Sequence, residues 1–230
     1  AIFSPDGSKL LYCTYLGGSA SDDLYALALD RDGSVVVTGI TDSSDFPTTP
    51  GVLQPRYGGG TEAFVAKLNS SGTAWTYSTY LGGSGQESAR SVALNATGTA
   101  YIAGVTSSRN FPTTPGSLLT DVAYNTGFVT ALKADGSGVV YSNRLSDNPE
   151  FRDIAVDSAG NAYVTGLAQN SNFPLTDDAW IPGYGSPSDG FLLKLNPDGT
   201  KLAYATFLGG TGPDAGNAVA DWARGVARRR

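Results

Sequence analysis

The carboxylate side chains are the groups in this chain that are best suited to chemistry. Two carboxylates at the right separation can hydrolyse a glycosidic bond, one as the acid and the other as the base or nucleophile. Carboxylates in surface connections can also bind a partner. Six acidic residues occur in short connections that vary along the chain: Asp22, Asp23, Glu87, Asp147, Glu150 and Asp214. We predict that these are partner-binding residues.

Histidine is absent from the 230 residues. The commonest general base and zinc ligand is therefore missing, and neither a Ser-His-Asp nor a Cys-His pair can form. The single cysteine, Cys13, permits no intrachain disulfide and no thiolate cluster. We predict that Cys13 is buried as a small hydrophobic residue. Catalytic residues are accordingly not predicted.

Calcium is the one ion for which the sequence offers candidate ligands. Asp30-Arg31-Asp32-Gly33 supplies carboxylate oxygens, but the further acidic residues of an EF-hand loop do not follow. An Asp at the start and a Gly later also form the pattern of a tight turn. The turn is the stronger interpretation, so we predict no cofactor and keep calcium as the alternative.

The formal net charge is −6 at pH 7. An acidic chain disfavours nucleic acid and anionic membranes, because phosphate groups are bound by Lys and Arg. No apolar run approaches about 18 residues, so a membrane-spanning helix is not expected. The arginines at 224 and 228–230 form a basic end, for which a frayed terminus is the favoured interpretation. No signal peptide opens the chain, which suggests a mature or excised segment.

A sequence repeat determines where these residues lie. Four tyrosines, Tyr12, Tyr77, Tyr141 and Tyr204, recur 63 to 65 residues apart, each after a turn that contains Gly. A fixed period of this length indicates a repeat architecture. Each unit contains four short runs rich in Val, Ile, Tyr, Thr and Phe, separated by Gly, Asp, Asn and Pro. This pattern is typical of strands and turns.

Four strands per unit, here named A to D, predict an all-β protein built from propeller blades. In the first unit strand A covers about 25–30, strand B 34–41 and strand C 63–68, and strand D is 10–16 or its copy 75–81. The predicted fold is a β-propeller of four-stranded antiparallel blades of about 64 residues. A β-solenoid would have shorter rungs, and a sandwich would not need such self-similarity.

The repeat divides residues 1–230, which we interpret as one partial propeller. A lone strand D at 9–18 precedes three blades at about 24–82, 89–146 and 152–209, and an incomplete blade at 215–230 begins with a strand A at 215–221. Three complete blades and partial ones predict an open arc or a fragment of a larger propeller, because closed propellers have about four to eight blades. Open blade edges predict self-association, for example a dimer that completes a ring.

The B–C connections are long, at about 41–62, 106–127 and 168–190, and each carries a Phe-Pro pair. Proline cannot join a central strand, so these are ordered loops. We predict that the phenylalanines anchor the loops structurally: Phe46, Phe111 and Phe173.

The third B–C connection adds Trp180 and Tyr184 among Gly and Pro. Aromatic residues beside acidic loops can bind a sugar or a protein, so we include both as candidate partner-binding residues. The D–A connections vary most among the repeats, and on a propeller they gather at one face. We expect a protein or a glycan to bind at that face.

Several motifs resemble a known family. They are residues 157–166 (Asp-Ser-Ala-Gly-Asn-Ala-Tyr-Val-Thr-Gly), the Phe-Pro-Thr-Thr-Pro-Gly loops, and the Asn-Pro-Asp-Gly turn that leads to Leu-Gly-Gly. They are similar to the bacterial SBBP β-propeller repeat over nearly the whole chain, to about Asp221. The resemblance implies a secreted or cell-surface bacterial protein without a set of catalytic residues. One copy departs from it, with Leu145-Ser146-Asp147 in place of Leu-Gly-Gly.

Two functions are compatible with these patterns. The first is a non-catalytic, extracellular or cell-surface propeller module for binding or structural display. The alternative is a propeller-based carbohydrate-active enzyme, a glycosidase or lyase, whose site needs blades that are absent from these 230 residues.

Overall fold

The computed structural model describes residues 1–118, 125–185 and 187–220. Over these ranges the chain forms fourteen strands and no helix, and so it has no helix that could cross a membrane. The strands are β1 Ile2–Phe3, β2 Leu10–Tyr12, β3 Asp22–Leu29, β4 Val35–Thr41, β5 Glu62–Leu68, β6 Trp75–Leu81, β7 Glu87–Leu94, β8 Ala100–Thr106, β9 Thr126–Leu132, β10 Val139–Asp147, β11 Pro149–Val156, β12 Ala162–Ala168, β13 Asp189–Leu195 and β14 Leu202–Leu208.

Twelve of these strands form three four-stranded antiparallel sheets. The orders are β3-β4-β5-β6, β7-β8-β9-β10 and β11-β12-β13-β14, so each sheet is a simple meander. Within each sheet the four strands follow the A-to-D order expected from the sequence. The predicted all-β propeller architecture is confirmed.

The three blades pack side by side through their A strands. Strand β3 contacts β7, and β7 contacts β11. The A strands therefore lie on the inside of the arrangement and the D strands on the outside. The apolar core fills the space between neighbouring sheets: one buried cluster combines Val65 with Val92, and another combines Tyr101 with Ile154.

The segment before the first blade differs from its prediction. Residues 9–18 were expected to form a lone strand D, but the strand ends at Tyr12 and pairs with a short partner, Ile2–Phe3. Cys13 lies past the end of this strand and is exposed, so the prediction of a buried cysteine is wrong. Its equivalents Ser78 and Ser142 are buried because a full strand C and a B–C loop flank them.

The segment after the third blade runs beside strand β11 without forming a strand within 215–220. The Gly216 N–H donates to the Gly166 carbonyl at 2.9 Å, and the Val219 N–H donates to the Asp153 carboxylate at 2.8 Å. The segment thus occupies the place expected of a next strand A without its regular pairing. The rest of the predicted incomplete blade, 221–230, including the arginine-rich end, lies outside the described residues.

Neighbouring blades are joined by a contact that repeats with the sequence. The tyrosine of strand D lies under the turn between strands C and D of the following blade: Tyr77 lies under Gly136, and Tyr141 under Gly199. Both rings are buried, and both glycines have positive φ, 73° and 71°. Glycine is needed here because it accepts this φ and has no side chain to strike the ring.

The B–C loops pack as predicted. The phenylalanine of each Phe-Pro pair contacts a phenylalanine of strand C in its own blade, with ring centroids 4.4–4.6 Å apart. A threonine further along each loop then bonds to strand D: the Thr49 N–H donates to the Ser78 carbonyl at 3.0 Å, and the Thr49 hydroxyl accepts the Ser78 N–H at 3.0 Å. Thr114 and Thr176 repeat both bonds. The loops thereby satisfy polar groups on the outer strand.

Replacing Gly136 with Ala tests the contact between blades. A Cβ at this position would lie 2.6 Å from Cγ of Tyr77, so the ring must move in addition to the backbone strain at φ 73°. We expect the free energy of unfolding to fall by about 2–5 kcal/mol in urea titrations.

The matched control is Gly51→Ala, because Gly51 also has a positive φ, 78°, but nothing lies within 4 Å of its Cβ position. This variant carries the backbone strain alone and should lose about 1–2 kcal/mol. Equal losses in the two variants would show that the tyrosine contact contributes nothing.

Candidate functional site

The D–A connections and the B–C loops lie at the same end of the propeller, because each sheet is an antiparallel meander. This end is here called the D–A face. The backbone of the two sets of loops is joined there: the Asp42 N–H donates to the Ser21 carbonyl at 2.8 Å, and the Ser107 N–H donates to the Gln86 carbonyl at 2.8 Å. The face is therefore a connected loop surface on which a ligand can contact several blades.

Three of the predicted partner-binding carboxylates have an internal role at this face. Each accepts a backbone N–H from the turn that precedes it: Asp22 from Gly18, Glu87 from Gly83 and Asp214 from Gly210, at 2.8–2.9 Å. Glu87 is 2% exposed and also accepts hydroxyl groups of Thr106 and Ser108. These carboxylates stabilise the loops, which leaves little of Glu87 to contact a ligand.

Glu87 has a second acidic neighbour that sequence patterns did not point to. Glu62, at the start of strand β5, is completely buried, and carboxylate oxygens of both residues reach the space beside Gly82 that a Cβ would occupy. Burial, followed by the negative charge of Glu87, raises the pKa of Glu62 to about 8. Asp189 and Asp214 repeat the arrangement beside Gly209 in the third blade. In the sequence, the signal is an acidic residue at the start of strand C in a blade whose strand D is followed by Gly-Gly.

The buried Glu62–Glu87 pair is unsuited to hydrolysis, although it consists of two close carboxylates. Glu62 has no exposed surface, and its oxygens accept the Gly58 N–H at 2.9 Å and the Gln54 amide at 3.4 Å. A substrate has no access to it in this structure. A protonated Glu62 removes the repulsion between the two charges and allows the blades to pack at this point.

The other predicted site residues are spread over the D–A face. Asp23 is exposed, and Asp147 is half-buried with one carboxylate oxygen that has no hydrogen-bond partner in the described structure. Glu150 is exposed and forms an ion pair with Arg152 at 2.7 Å.

The two aromatic candidates lie apart from these acidic residues. Trp180 is 76% exposed, whereas the ring of Tyr184 packs on Phe207, with centroids 5.5 Å apart, and its hydroxyl donates to the Pro187 carbonyl. Both belong to the loop that covers strand D, while Glu150 lies on strand A. The structure therefore places the two aromatic candidates and Glu150 at opposite edges of the third sheet, whereas Asp214 bonds to Ser188 beside the loop of Tyr184.

The candidate calcium ligands are engaged within their own turn and blade. Asp30 forms an ion pair with Lys67 at 2.6 Å. Asp32 accepts the Ser34 N–H at 2.8 Å, and this bond lowers the pKa of its carboxyl. The described residues contain no group of three acidic, histidine or cysteine side chains that could hold a metal. The turn interpretation accounts for both carboxylates.

A cavity of about 680 Å³ opens between the second and third blades at the D–A face, and Tyr25 of the first blade also lines it. It lies where the repeat is irregular: Asn148 alone connects strands β10 and β11, whereas residues 82–86 connect β6 and β7. Among the described residues, Asn148 and Asn125 are the two non-glycine residues with positive φ, 48° and 68°, and both line this cavity. Strained backbone that clusters in a cavity is typical of binding sites.

The cavity contains two arginines that sequence patterns did not identify. The Arg90 guanidinium lies over the ring of Tyr25 at 4.7 Å. Arg152 bonds to Glu150 and, at 2.7 Å, to the side-chain oxygen of Asn217. Their position in the repeat could have identified them, because Tyr25, Arg90 and Arg152 are the equivalent residues of successive A strands. Each is the unpaired residue at the register shift of its strand.

The buried carboxylate pair predicts that stability depends on pH. Folded Glu62 keeps its proton up to about pH 8, whereas the unfolded residue loses it near pH 4.5. The folded state therefore binds more protons between these values, and the free energy of unfolding should fall as the pH rises from about 4.5 to about 8. The chain has no histidine that would titrate in this range. Urea titrations at several pH values measure the slope.

Glu62→Gln removes this titration while keeping the shape of the side chain. The slope should flatten, and the variant should be more stable than the parent at pH 8. Asp178→Asn, at an exposed position, is the control and should leave the slope unchanged. A parent protein whose stability is constant from pH 5 to pH 8 would contradict the expectation.

Comparison with known families identifies a match in the third blade. Residues 151–174, which cover strands β11 and β12 and the Phe-Pro pair that follows, match the family model of the SBBP β-propeller repeat. A comparison with curated proteins finds no match. The matched segment belongs to the third of three blades with the same strand order. Residues 151–174 are therefore similar to an SBBP β-propeller repeat, and they lie in one blade of a β-propeller.

Proposed function

We propose that this chain is a non-catalytic binding module of a secreted or cell-surface bacterial protein, and that it binds a protein or glycan at the D–A face. The observation that carries the proposal is the cavity between the second and third blades, at the one blade junction in the described structure where the repeat is irregular. Residues that recur in every blade hold the blades together. A cavity that forms where the repeat is irregular is not needed for that packing and can bind a ligand.

The size and lining of the cavity support a binding role. A volume of about 680 Å³ is within the range of sites for small ligands or single side chains of a partner. The lining combines amide and charged groups with Phe151 and Val105. Asn125 and Asn148 are held in a strained backbone conformation, and the Asn125 amide donates to the Asn148 side-chain oxygen at 2.9 Å. Polar groups fixed in this way can orient a ligand without rearranging.

The charged groups of the cavity favour binding over hydrolysis. In the described part of the chain its lining contains one carboxylate, Glu150, which is ion-paired with Arg152. A glycosidase of the common type needs two carboxylates about 5–10 Å apart with the substrate between them. The extracellular location rests on the resemblance to a family of secreted and cell-surface bacterial proteins.

A double variant, Asn125→Gly with Asn148→Gly, tests this function. Glycine adopts the positive φ of both positions without strain, so the fold should be retained while both amides are lost. We expect the parent protein to bind at least one ligand on arrays of bacterial surface glycans and proteins, and the double variant to bind it at least about tenfold more weakly.

Trp180→Ala is the matched control, since Trp180 is exposed at the other edge of the third sheet. It should leave this binding unchanged. Loss of binding in Trp180→Ala but not in the double variant would move the site to the B–C loop. Cleavage of a bound glycan, detected by mass spectrometry of the products, would contradict a non-catalytic role and favour the carbohydrate-active alternative.

A further inference from the structure

We propose that the ligand of this cavity is an acidic saccharide whose carboxylate binds to Arg90 and Arg152; this inference rests on the proposed function and specifies its ligand. The two arginines lie at equivalent positions of adjacent A strands, β7 and β11, and both line the cavity. A guanidinium group presents its N–H bonds in the plane that a carboxylate can meet with two parallel hydrogen bonds.

Arg90 is the cation that is free to bind an anion. Its side chain is exposed, and within the described residues it forms no hydrogen bond or ion pair. Its contact is with the face of the Tyr25 ring at 4.7 Å. A guanidinium that lies over an aromatic ring in this way keeps its N–H edge for another partner. Tyr25 therefore orients Arg90 without neutralising it.

The cavity has a net positive charge in a protein that is acidic as a whole. Among the described residues, its charged lining groups are Arg90, Arg152 and Glu150, two cations against one anion. Glu150 accepts two bonds from Arg152, at 2.7 and 3.2 Å, and so holds that guanidinium in place. The formal net charge of the whole chain is −6. A local positive charge in this setting selects for an anionic group on the ligand.

Amide groups beside the arginines suit the hydroxyl groups of a sugar. The Asn125 amide donates to Asn148, the Asn148 amide donates to Gln169 at 2.9 Å, and the Gln169 amide donates to Glu150 at 3.3 Å. Each amide nitrogen carries two N–H bonds and uses one of them in this chain, so a second donor remains on each. The row of donors extends from the carboxylate-binding arginines along one wall of the cavity.

The combination of groups favours a sugar acid over an acidic peptide. An Asp or Glu side chain would use the arginines but has no hydroxyl groups for the three amides. A hexuronate presents one carboxylate for the arginines and several hydroxyl groups for the amides on one rigid ring. The cavity of about 680 Å³ has room for more than one sugar ring.

Titration calorimetry with oligomers of galacturonate and of glucuronate tests the inference. The matched ligands are the methyl esters of the same oligomers, which keep the ring and lose the charge, and tetraglutamate, which keeps the charge and lacks the ring. We expect at least one free-acid oligomer to bind, its methyl ester to bind at least about tenfold more weakly, and the affinity to fall as salt is raised.

Arg90→Gln should weaken binding of the free acid at least about tenfold and leave binding of the ester unchanged. Within the described residues its side chain forms no hydrogen bond or ion pair and its guanidinium lies over Tyr25, so the variant should fold. Arg31→Gln is the control: it removes the same charge from an exposed residue in an A–B turn, at the opposite end of the blade, and should bind like the parent.

Other outcomes separate this inference from the proposed function. If the ester binds as well as the acid, or if no uronate binds while the arrays give a neutral ligand that the glycine double variant loses, the acidic saccharide is wrong and the binding module stands. Tighter binding of tetraglutamate than of any uronate would replace the sugar with an acidic protein segment. If the arrays give no ligand that the double variant weakens, both proposals fail.

Discussion

The structure depends on the burial of one tyrosine ring under a glycine turn of the next blade. An isolated four-stranded meander has two apolar faces and gains stability by covering both. The rings of Tyr77 and Tyr141 supply much of that cover, and the glycines above them allow close approach. The contact has a cost, because the hydroxyl groups of both rings are buried without a hydrogen-bond partner in the described structure. Burial also raises the pKa of both tyrosines.

A second, polar contact fixes the other end of the junction between the first and second blades. Acidic side chains of strand A hold the Gly-Gly turn before them, as Glu87 does with Gly83, and an acidic side chain of strand C faces the same turn. The junction between the second and third blades lacks both groups, because Pro149 and Thr126 stand at these positions. Since no acidic pair and no five-residue loop fill the space there, a cavity remains. The proposed ligand site is thus a consequence of a missing structural contact.

The sequence predicted the parts of the fold that depend on local chemistry. Strand order, the turns and the anchoring of Phe46, Phe111 and Phe173 follow from residue types that recur at a fixed spacing. The site was harder to predict because it depends on which side chains meet across blades. Arg90 and Tyr25 are 65 positions apart, and their contact follows from the packing of β3 on β7.

The acidic residues show why connections alone did not identify the site. Asp22 and Glu87 fall in variable connections, which suggested exposure, but the structure turns their carboxylates toward backbone N–H groups. The buried position of Glu62 was not predicted, because it depends on strand C of one blade meeting the turn that leads to the next blade. Of the residues predicted from sequence, Glu150 lines the cavity, where it holds Arg152.

The threonine that follows each Phe-Pro pair has a consequence for how such a protein can evolve. Thr49, Thr114 and Thr176 bond to backbone groups of strand D, the outermost strand of each blade. These groups are therefore not available to pair with a strand of another molecule. A newly duplicated repeat would pack on its neighbours through the tyrosine of strand D and the glycine of the C–D turn. Its outer strand would add no exposed edge that could pair with another chain. Gene duplication can therefore lengthen the array one unit at a time without creating a seed for fibres.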